Sequence, residues 1–420
     1  MKSIKCLGLL AVGALLGLAG ARPSSLEKRS PDIPTVGEKV RGVNLGGWLV
    51  LEPWITPSLF EDVPGAVDEY TFSEKLGKEA TKAKLEEHWS TFFTARDFAD
   101  MAAAGLNHVR IPVGYWAVKA LPGDPYVSGQ LPYLDKAIEW AREAGLKVWI
   151  DLHGAPGGQN GFDNSGYREH IEWQQGKNVE HTLKVIQALT ERYAVPKCRG
   201  VVAAIGLLNE PLAPKLDQKR LEKFWNDGYH IVRETNPTIP VVIADGFTHL
   251  HNLNGFMTNL KNVVLDTHQY QVFTMGQLQA DIQGHLNNAC DIGWQLQGCD
   301  KPTITGEWSG AMTDCAHLLN GVGRGVRYEG TYNYDGESFF IGNCGARVSG
   351  SIAGLGSEEM EKTRRLVEAQ LDAYEQGAGW FFWTWKTERG SPGWEMRDMI
   401  KTGVFPQPLT DRKYPNQCKF

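Results

Sequence analysis

The stretch VVAAIGLLNEP, residues 201–211, runs apolar from Val201 and then delivers Asn209, Glu210 and Pro211. A short unbroken apolar run reads as a strand buried on both faces, as in parallel sheets. Its end carries a carboxylate, and burying an ionised carboxyl without a partner costs several kcal/mol or drives its pKa upward. A carboxyl so raised is a proton donor at neutral pH. The plainer alternative is an acidic residue opening a loop ahead of a proline, and one stretch does not separate the two.

Runs of the same kind recur along the chain. They are VRGVNLGGWLV from Val40, HVRIPV (108–113), LKVWIDLH (146–153), PVVIADG (240–246), NVVLDTHQY (262–270), PTITGEWS (302–309) and GWFFWTWK (379–386). With residues 201–211 they make eight strand candidates. Segments of helical period lie between them, including ARDFADMAAAGL, LPYLDKAIEWAREAGL and NVEHTLKVIQALTERYA, and Gly105 and Gly145 stand where a helix C-cap is expected. Strand then helix, eight times over, predicts a single (β/α)8 TIM barrel of about 390 residues with elaborated βα loops. A doubly wound open sheet is the alternative, but no Gly-rich phosphate loop follows the first strand. The long segments Thr56 to Ala80 and Ser309 to Ala378 predict elaborated loops, the second tied by cysteines.

A barrel keeps its chemistry at the C-terminal ends of its strands. There the sequence places Glu52, Arg110, Asp151 with His153, Asn209 with Glu210, Asp245, His268 with Tyr270, Glu307, and Trp383 with Trp385. Taken singly, His153 reads as a core histidine and Arg110 as a buried ion-pair partner; the set reads as an active site. Glu210 and Glu307 fall on the fourth and seventh strands with no evident metal-ligand cluster beside them. Acetal hydrolysis needs two such groups, one to protonate the leaving oxygen and one to meet the oxocarbenium-like centre.

The first 21 residues resemble a secretory signal, with Lys2 and Lys5, an apolar core and an A-x-A site at Ala19 and Ala21. Residues 22–29 end in the dibasic pair Lys28-Arg29, which predicts a pro-peptide and a catalytic chain of 30–420. No later segment is apolar for long enough to cross a bilayer, and the expectation is a secreted protein, extracellular or wall-associated. The whole chain has net charge −6, and the removed segment would take five basic residues and Glu27 with it, leaving about −10. That balance argues against nucleic acid and anionic membrane as partners. The 14 tryptophans offer flat faces for sugars as well as for the core. Six cysteines remain after Cys6 and allow 15 pairings; none is spaced C-x-x-C, so neither a zinc site nor any other cofactor is expected.

VRGVNLGGWLVLEPWITPSLF (40–60), NEP (209–211), DTHQY (266–270), GEWS (306–309) and FFWTWKTE (381–388) resemble glycoside hydrolase family five of the NEP-type barrel clan. GVRYEGTY (325–332) and GVFPQPLTDRKYPNQC (403–418) are similar to the secreted fungal exo-β-1,3-glucanases within it. The resemblance implies Glu210 as acid/base and Glu307 as nucleophile; the place of Glu210 at the end of a buried apolar run is itself expected to keep it protonated. It implies sugar contacts from Glu52, Arg110, His153, Asp163, Asn164, Asn209, His268, Tyr270 and Trp383, and an aromatic wall and entrance clamp from Phe162, Phe247 and Phe273. It also implies the pairs Cys290–Cys418 and Cys315–Cys344, leaving Cys198 and Cys299 open. The expected activity is retaining, monomeric exo-hydrolysis of β-1,3-glucan of the laminarin type, with transglycosylation as the companion reaction. Rival readings are an endo-β-1,4-glucanase or β-mannanase, a metal hydrolase using His153 and His268, and a non-catalytic glucan-binding wall protein.

Overall fold

The computed structural model describes residues 39–420, so the predicted signal and pro-peptide lie outside the described residues. All eight strand candidates are strands: β1 Val40–Asn44, β2 His108–Gly114, β3 Lys147–Gly154, β4 Val202–Gly206, β5 Val241–Ala244, β6 Val263–Gln269, β7 Thr303–Trp308 and β8 Gly379–Phe382. They pair in parallel in chain order, and β8 closes on β1. A closed ring leaves no edge, so each backbone donor on a strand has a neighbour on either side.

Side chains alternate across the wall. On β3, Val148, Ile150 and Leu152 face outward into the main core under the helices, while Trp149 joins Val40, Val242, Val264, Ile304 and Phe381 in the barrel interior. The period of two then carries Asp151 and His153 inward above Trp149, and Asp266 and His268 inward above Val264. Apolar residues thus plug the lower barrel, and polar ones fill its upper end.

Helices Ala95–Ala103, Leu131–Ala144 and Asn178–Tyr193 match the three periodic segments, and Gly145 takes the left-handed C-cap (φ 75°) immediately before β3. One repeat departs from the expectation. Between β5 and β6 the outer layer holds only a 3₁₀ turn, Leu250–Leu253, followed by positive φ at Gly255, Met257 and Asn262, a backbone path no helix can follow. After β7 the chain forms an irregular segment bridged by Cys315–Cys344 before helix Ser357–Tyr374. Cys290–Cys418 fastens the C-terminal tail to helix Ile282–Gln297. Cys198 and Cys299 belong to neither disulfide.

Candidate active site

β4 ends at Gly206, and the chain continues inward as an irregular turn rather than as strand. Glu210 sits on that turn at φ 45°, a left-handed conformation costing a non-glycine residue roughly 1–2 kcal/mol. Fully buried Gln159 holds the turn, its Nε2 donating to the carbonyls of His153 (2.7 Å) and Asn209 (3.0 Å). Glu210 then accepts from Asn164 Nδ2 (3.0 Å) and lies 2.8 Å from His268 Nδ1.

Glu307 reaches the interior by a different device. By strict alternation from Ile304 it would face outward, but the β6–β7 register shifts between Thr267 and His268, which pairs with Glu307 and leaves Gly306 as the extra residue. A bulge of this kind re-aims the side chain that follows it. Glu307 turns inward and Trp308 outward into the main core. Arg110 Nη1 donates to Glu307 Oε1 (2.9 Å) and the Tyr270 hydroxyl to its Oε2 (2.8 Å). Arg110 is in turn fixed by Asn44 Oδ1 (3.0 Å), Asn209 Oδ1 (2.7 Å) and Asp151 (3.1 Å), and Asp151 accepts from His153 Nδ1 (2.7 Å).

Above this layer opens a cavity of about 480 Å³, lined by Glu52, Phe162, Asp163, Asn164, Glu210, Phe247, His268, Tyr270, Phe273, Glu307 and Trp383 among others. Arg110, His153 and Asn209 are buried beneath that lining, where they hold the carboxylates and, through His153, stack under Trp383 (5.7 Å, 11° between planes). Phe162 packs edge-on to Phe247, and Phe273 packs against Tyr270 and Trp394, so two separate aromatic groups flank the mouth. Asp245 sets Phe247 by accepting from its backbone N–H (3.0 Å), and Gln277 does the same for Phe273 (3.0 Å).

Sequence reasoning missed Trp54, Trp394, Gln277, Arg324, Arg327, Tyr332 and Tyr334, which also line the cavity. The last four come from the segment after β7, where GVRYEGTY (325–332) contains Arg327 and Tyr332 and is flanked by Arg324 and Tyr334. Each arginine stacks on a tyrosine, Arg324 on Tyr334 and Arg327 on Tyr332, both at 3.6 Å. Arg324 also pairs with Glu169 (2.8 Å) and Arg168 donates to the Val322 carbonyl (2.8 Å), locking this segment to the loop after β3.

Burial is the largest influence on both carboxyls and pushes each upward. On Glu210 the bonds from His268 and Asn164 outweigh burial and hold it below its usual value. Glu307 ends above its usual value, because burial and the charge of Glu210 exceed the pull of His268 and Arg110. His268 is raised well above the ordinary imidazole range: burial opposes its charge, but Glu307, Asp266 and Glu210 overcome it. Burial alone therefore does not raise Glu210, contrary to the sequence expectation; His268, held well above the ordinary imidazole range, lies within hydrogen-bond reach of it. Burial, then the charges of Glu307 and Asp163, lifts Glu52 far above the carboxylate range, and burial pushes Asp163 up to about 6. Glu210, His268 and Glu307 bring donor atoms within 4.8 Å of one another. A cation there would displace the His268–Glu210 hydrogen bond, and His153 is not part of the group.

The family profile described as Cellulase (glycosyl hydrolase family 5) matches residues 73–389. The chain belongs to glycosyl hydrolase family 5. It is 54% identical to a probable glucan 1,3-beta-glucosidase A of Emericella nidulans, over 92% of this chain and 94% of that one. It is 49% identical to a glucan 1,3-beta-glucosidase of Blumeria graminis, over 98% of this chain and 96% of that one. Among solved structures, a rutinosidase from Aspergillus niger superposes with a TM-score of 0.69 at 22% identity, covering 88% of this chain and 98% of that one. At that identity the likeness shows the barrel fold alone.

Proposed function

We propose that the chain is a retaining exo-β-1,3-glucanase that releases glucose from the non-reducing end of β-1,3-glucan. The observation that carries the reading is the pair Glu210 and Glu307, with carboxylate oxygens within 4.8 Å at the floor of an aromatic-walled cavity. Retaining glycosidases hold their two carboxyl groups about 5–5.5 Å apart, whereas inverting ones leave room for a water between them. Family 5 is a retaining family.

Arg110 and Tyr270 occupy one oxygen each of Glu307 and fix the direction of its attack on the anomeric carbon. As that C–O bond forms, the bond to the leaving sugar breaks, and Glu210 protonates the departing oxygen with the proton that His268 Nδ1 holds 2.8 Å away. Glu210, anionic again, takes a proton from water, whose oxygen displaces Glu307 and regenerates it, and the proton taken from water returns through Glu210 to His268 Nδ1. A sugar hydroxyl in place of water gives transglycosylation.

Exo action is supported by the loops. The segment after β7 reaches the loop after β3 through Arg324–Glu169, and His317 meets Glu61 of the segment after β1 (3.2 Å). The first tie holds Arg324, Arg327, Tyr332 and Tyr334 along one side of the cavity, where an endo-acting cleft needs to stay open. The same reading takes the protein to be a monomer acting on laminarin-like glucan, and secreted to the extracellular space or wall on the strength of the signal-like residues 1–21.

Time-resolved product analysis on laminarin tests the proposal. Glucose with retained anomeric configuration should be the main product from the earliest points, and the polymer should shorten slowly. An early burst of mixed oligosaccharides with a rapid fall in viscosity would instead establish an endo-acting enzyme. Activity should survive exhaustive treatment with a chelator; its loss, restored by a divalent cation, would favour metal-assisted hydrolysis at Glu210, His268 and Glu307.

A further inference from the structure

One buried carboxylate in the barrel interior takes no step in the reaction proposed above. Asp266 lies on β6 beneath His268, 5% exposed, with Oδ2 at 3.5 Å from His268 Nε2 and 3.8 Å from Arg110 Nη2. Among the described residues its Oδ1 has no hydrogen-bond partner. Across the strand pair, a β-carbon at Gly306 would stand 2.1 Å from Asp266 Oδ1. Position 306 therefore has to be bare for the carboxylate to occupy this place, and Gly306 is also the extra residue of the bulge that turns Glu307 inward. Asn44 Nδ2 pins that bulge by donating to the Gly306 carbonyl (2.8 Å).

His268 is thus bracketed. Its Nδ1 faces Glu210 Oε1 at 2.8 Å and Glu307 Oε2 at 3.4 Å, and its Nε2 faces Asp266. A neutral imidazole has one N–H and one lone pair, so in either tautomer it would aim a lone pair at a carboxylate. With Glu210 and Asp266 both ionised, only the doubly protonated ring satisfies both sides. The other charged or titratable groups around it are Arg110 from β2, Asp151 and His153 from β3, Asp245 after β5 and Tyr270 after β6. Of these, Asp151 and Asp245 act on it through space.

We propose that Asp266 is a positioning residue that holds His268 as an imidazolium between the two catalytic carboxylates, with Gly306 as the space that admits it. Its role is to retain the proton that Glu210 delivers to the leaving group until substrate is bound. Asp266 touches neither substrate nor reacting atoms and acts through His268. The inference rests on the hydrolytic roles proposed for Glu210 and Glu307, and those roles are tested separately by wild-type turnover of an aryl β-glucoside.

Removing the charge of Asp266 weakens proton binding at His268, so the proton shared with Glu210 is lost at lower pH. In Asp266→Asn the basic limb of kcat on an aryl β-glucoside should move to lower pH by about one unit, with KM within about twofold of wild type. A uniform loss of kcat at every pH, or an unshifted profile, would overturn the proposal. Gly306→Ala, which displaces the carboxylate by steric contact, should shift the limb the same way, and an unmoved limb in that variant counts against it. A measurement on the wild-type protein is independent of whether the variants fold. Nitrogen NMR of its 11 histidines should find the His268 ring doubly protonated at pH 7, and a neutral ring there would overturn the proposal even if the enzyme hydrolyses the glucoside.

Discussion

The nucleophilic role proposed for Glu307 requires it to be ionised, and its surroundings pull both ways. Burial and Glu210 raise its pKa, while the charges of His268 and Arg110 lower it and Arg110 and Tyr270 donate to the anion. Because the balance lies above the ordinary glutamate value, the acidic limb of the pH profile should lie above it too, with activity lost as pH falls through that limb. Glu307→Gln keeps the shape and removes the anion, and should lower kcat by at least about 1,000-fold; near wild-type turnover would reassign the nucleophile. Glu210→Ala should retain more activity on substrates with good leaving groups and should lose the basic limb, and a limb left in place would belong to another group. Both glutamates were legible in the sequence because each closes an apolar run. What surrounds them was not: the His268 contact, the Gln159 brace and the Gly306 bulge join residues far apart in the chain, and strand alternation read along β7 aims Glu307 at the helices.

At the level of elements, the eight strands stood out because parallel barrel strands are apolar on both faces and so leave continuous runs. Strand ends were less legible: NEP reads as the end of β4, yet the strand stops at Gly206 and the carboxylate is placed by a turn whose brace lies in another loop. The missing helix between β5 and β6 has the same origin, since the turn-forming Gly255, Met257 and Asn262 adopt left-handed backbone that period-based reading does not detect. Loops also set chain handling. Phe162 and Phe273 are each 37% exposed on loops at the cavity mouth, free to stack on the sugar next to the terminal one. At roughly 0.5–1.5 kcal/mol per ring, by analogy with aromatic pairs, either Phe→Ala change should cut kcat/KM on laminari-oligosaccharides by roughly 2- to 10-fold. An aryl glucoside, which has no second sugar, should be less affected. Equal losses on both substrates would place these rings at the terminal sugar instead.

Over the whole molecule, the two disulfides do different work because of where they close the chain. Cys315–Cys344 spans 29 residues within the segment that walls the cavity, while Cys290–Cys418 spans 128 and joins the C-terminal tail to an outer helix on the barrel's flank. That tail is held by other means as well: Arg364 pairs with Asp411 (2.9 Å), Arg412 with Asp372 (2.7 Å), and Glu368 accepts from the backbone of Lys413 and Tyr414. All of these reach helix Ser357–Tyr374, so the native tail should stay seated without the covalent bond. The disulfide then acts chiefly on the unfolded chain, where closing so long a loop removes entropy equivalent to about 5 kcal/mol as an upper figure. A barrel of this size has a large unfolding entropy, so the same free energy moves its Tm only by about 5 °C. Replacing Cys290 and Cys418 together by serine should therefore lower Tm by up to that amount and leave kcat on an aryl glucoside at 25 °C unchanged. The matching Cys315 and Cys344 double variant should cost activity on laminarin first, because its loop carries Arg324, Arg327, Tyr332 and Tyr334 to the cavity. Thermal melts and paired assays on the two variants check both expectations, and a loss of glucoside turnover in the Cys290 and Cys418 variant would mean that the tail supports the catalytic floor as well as the fold.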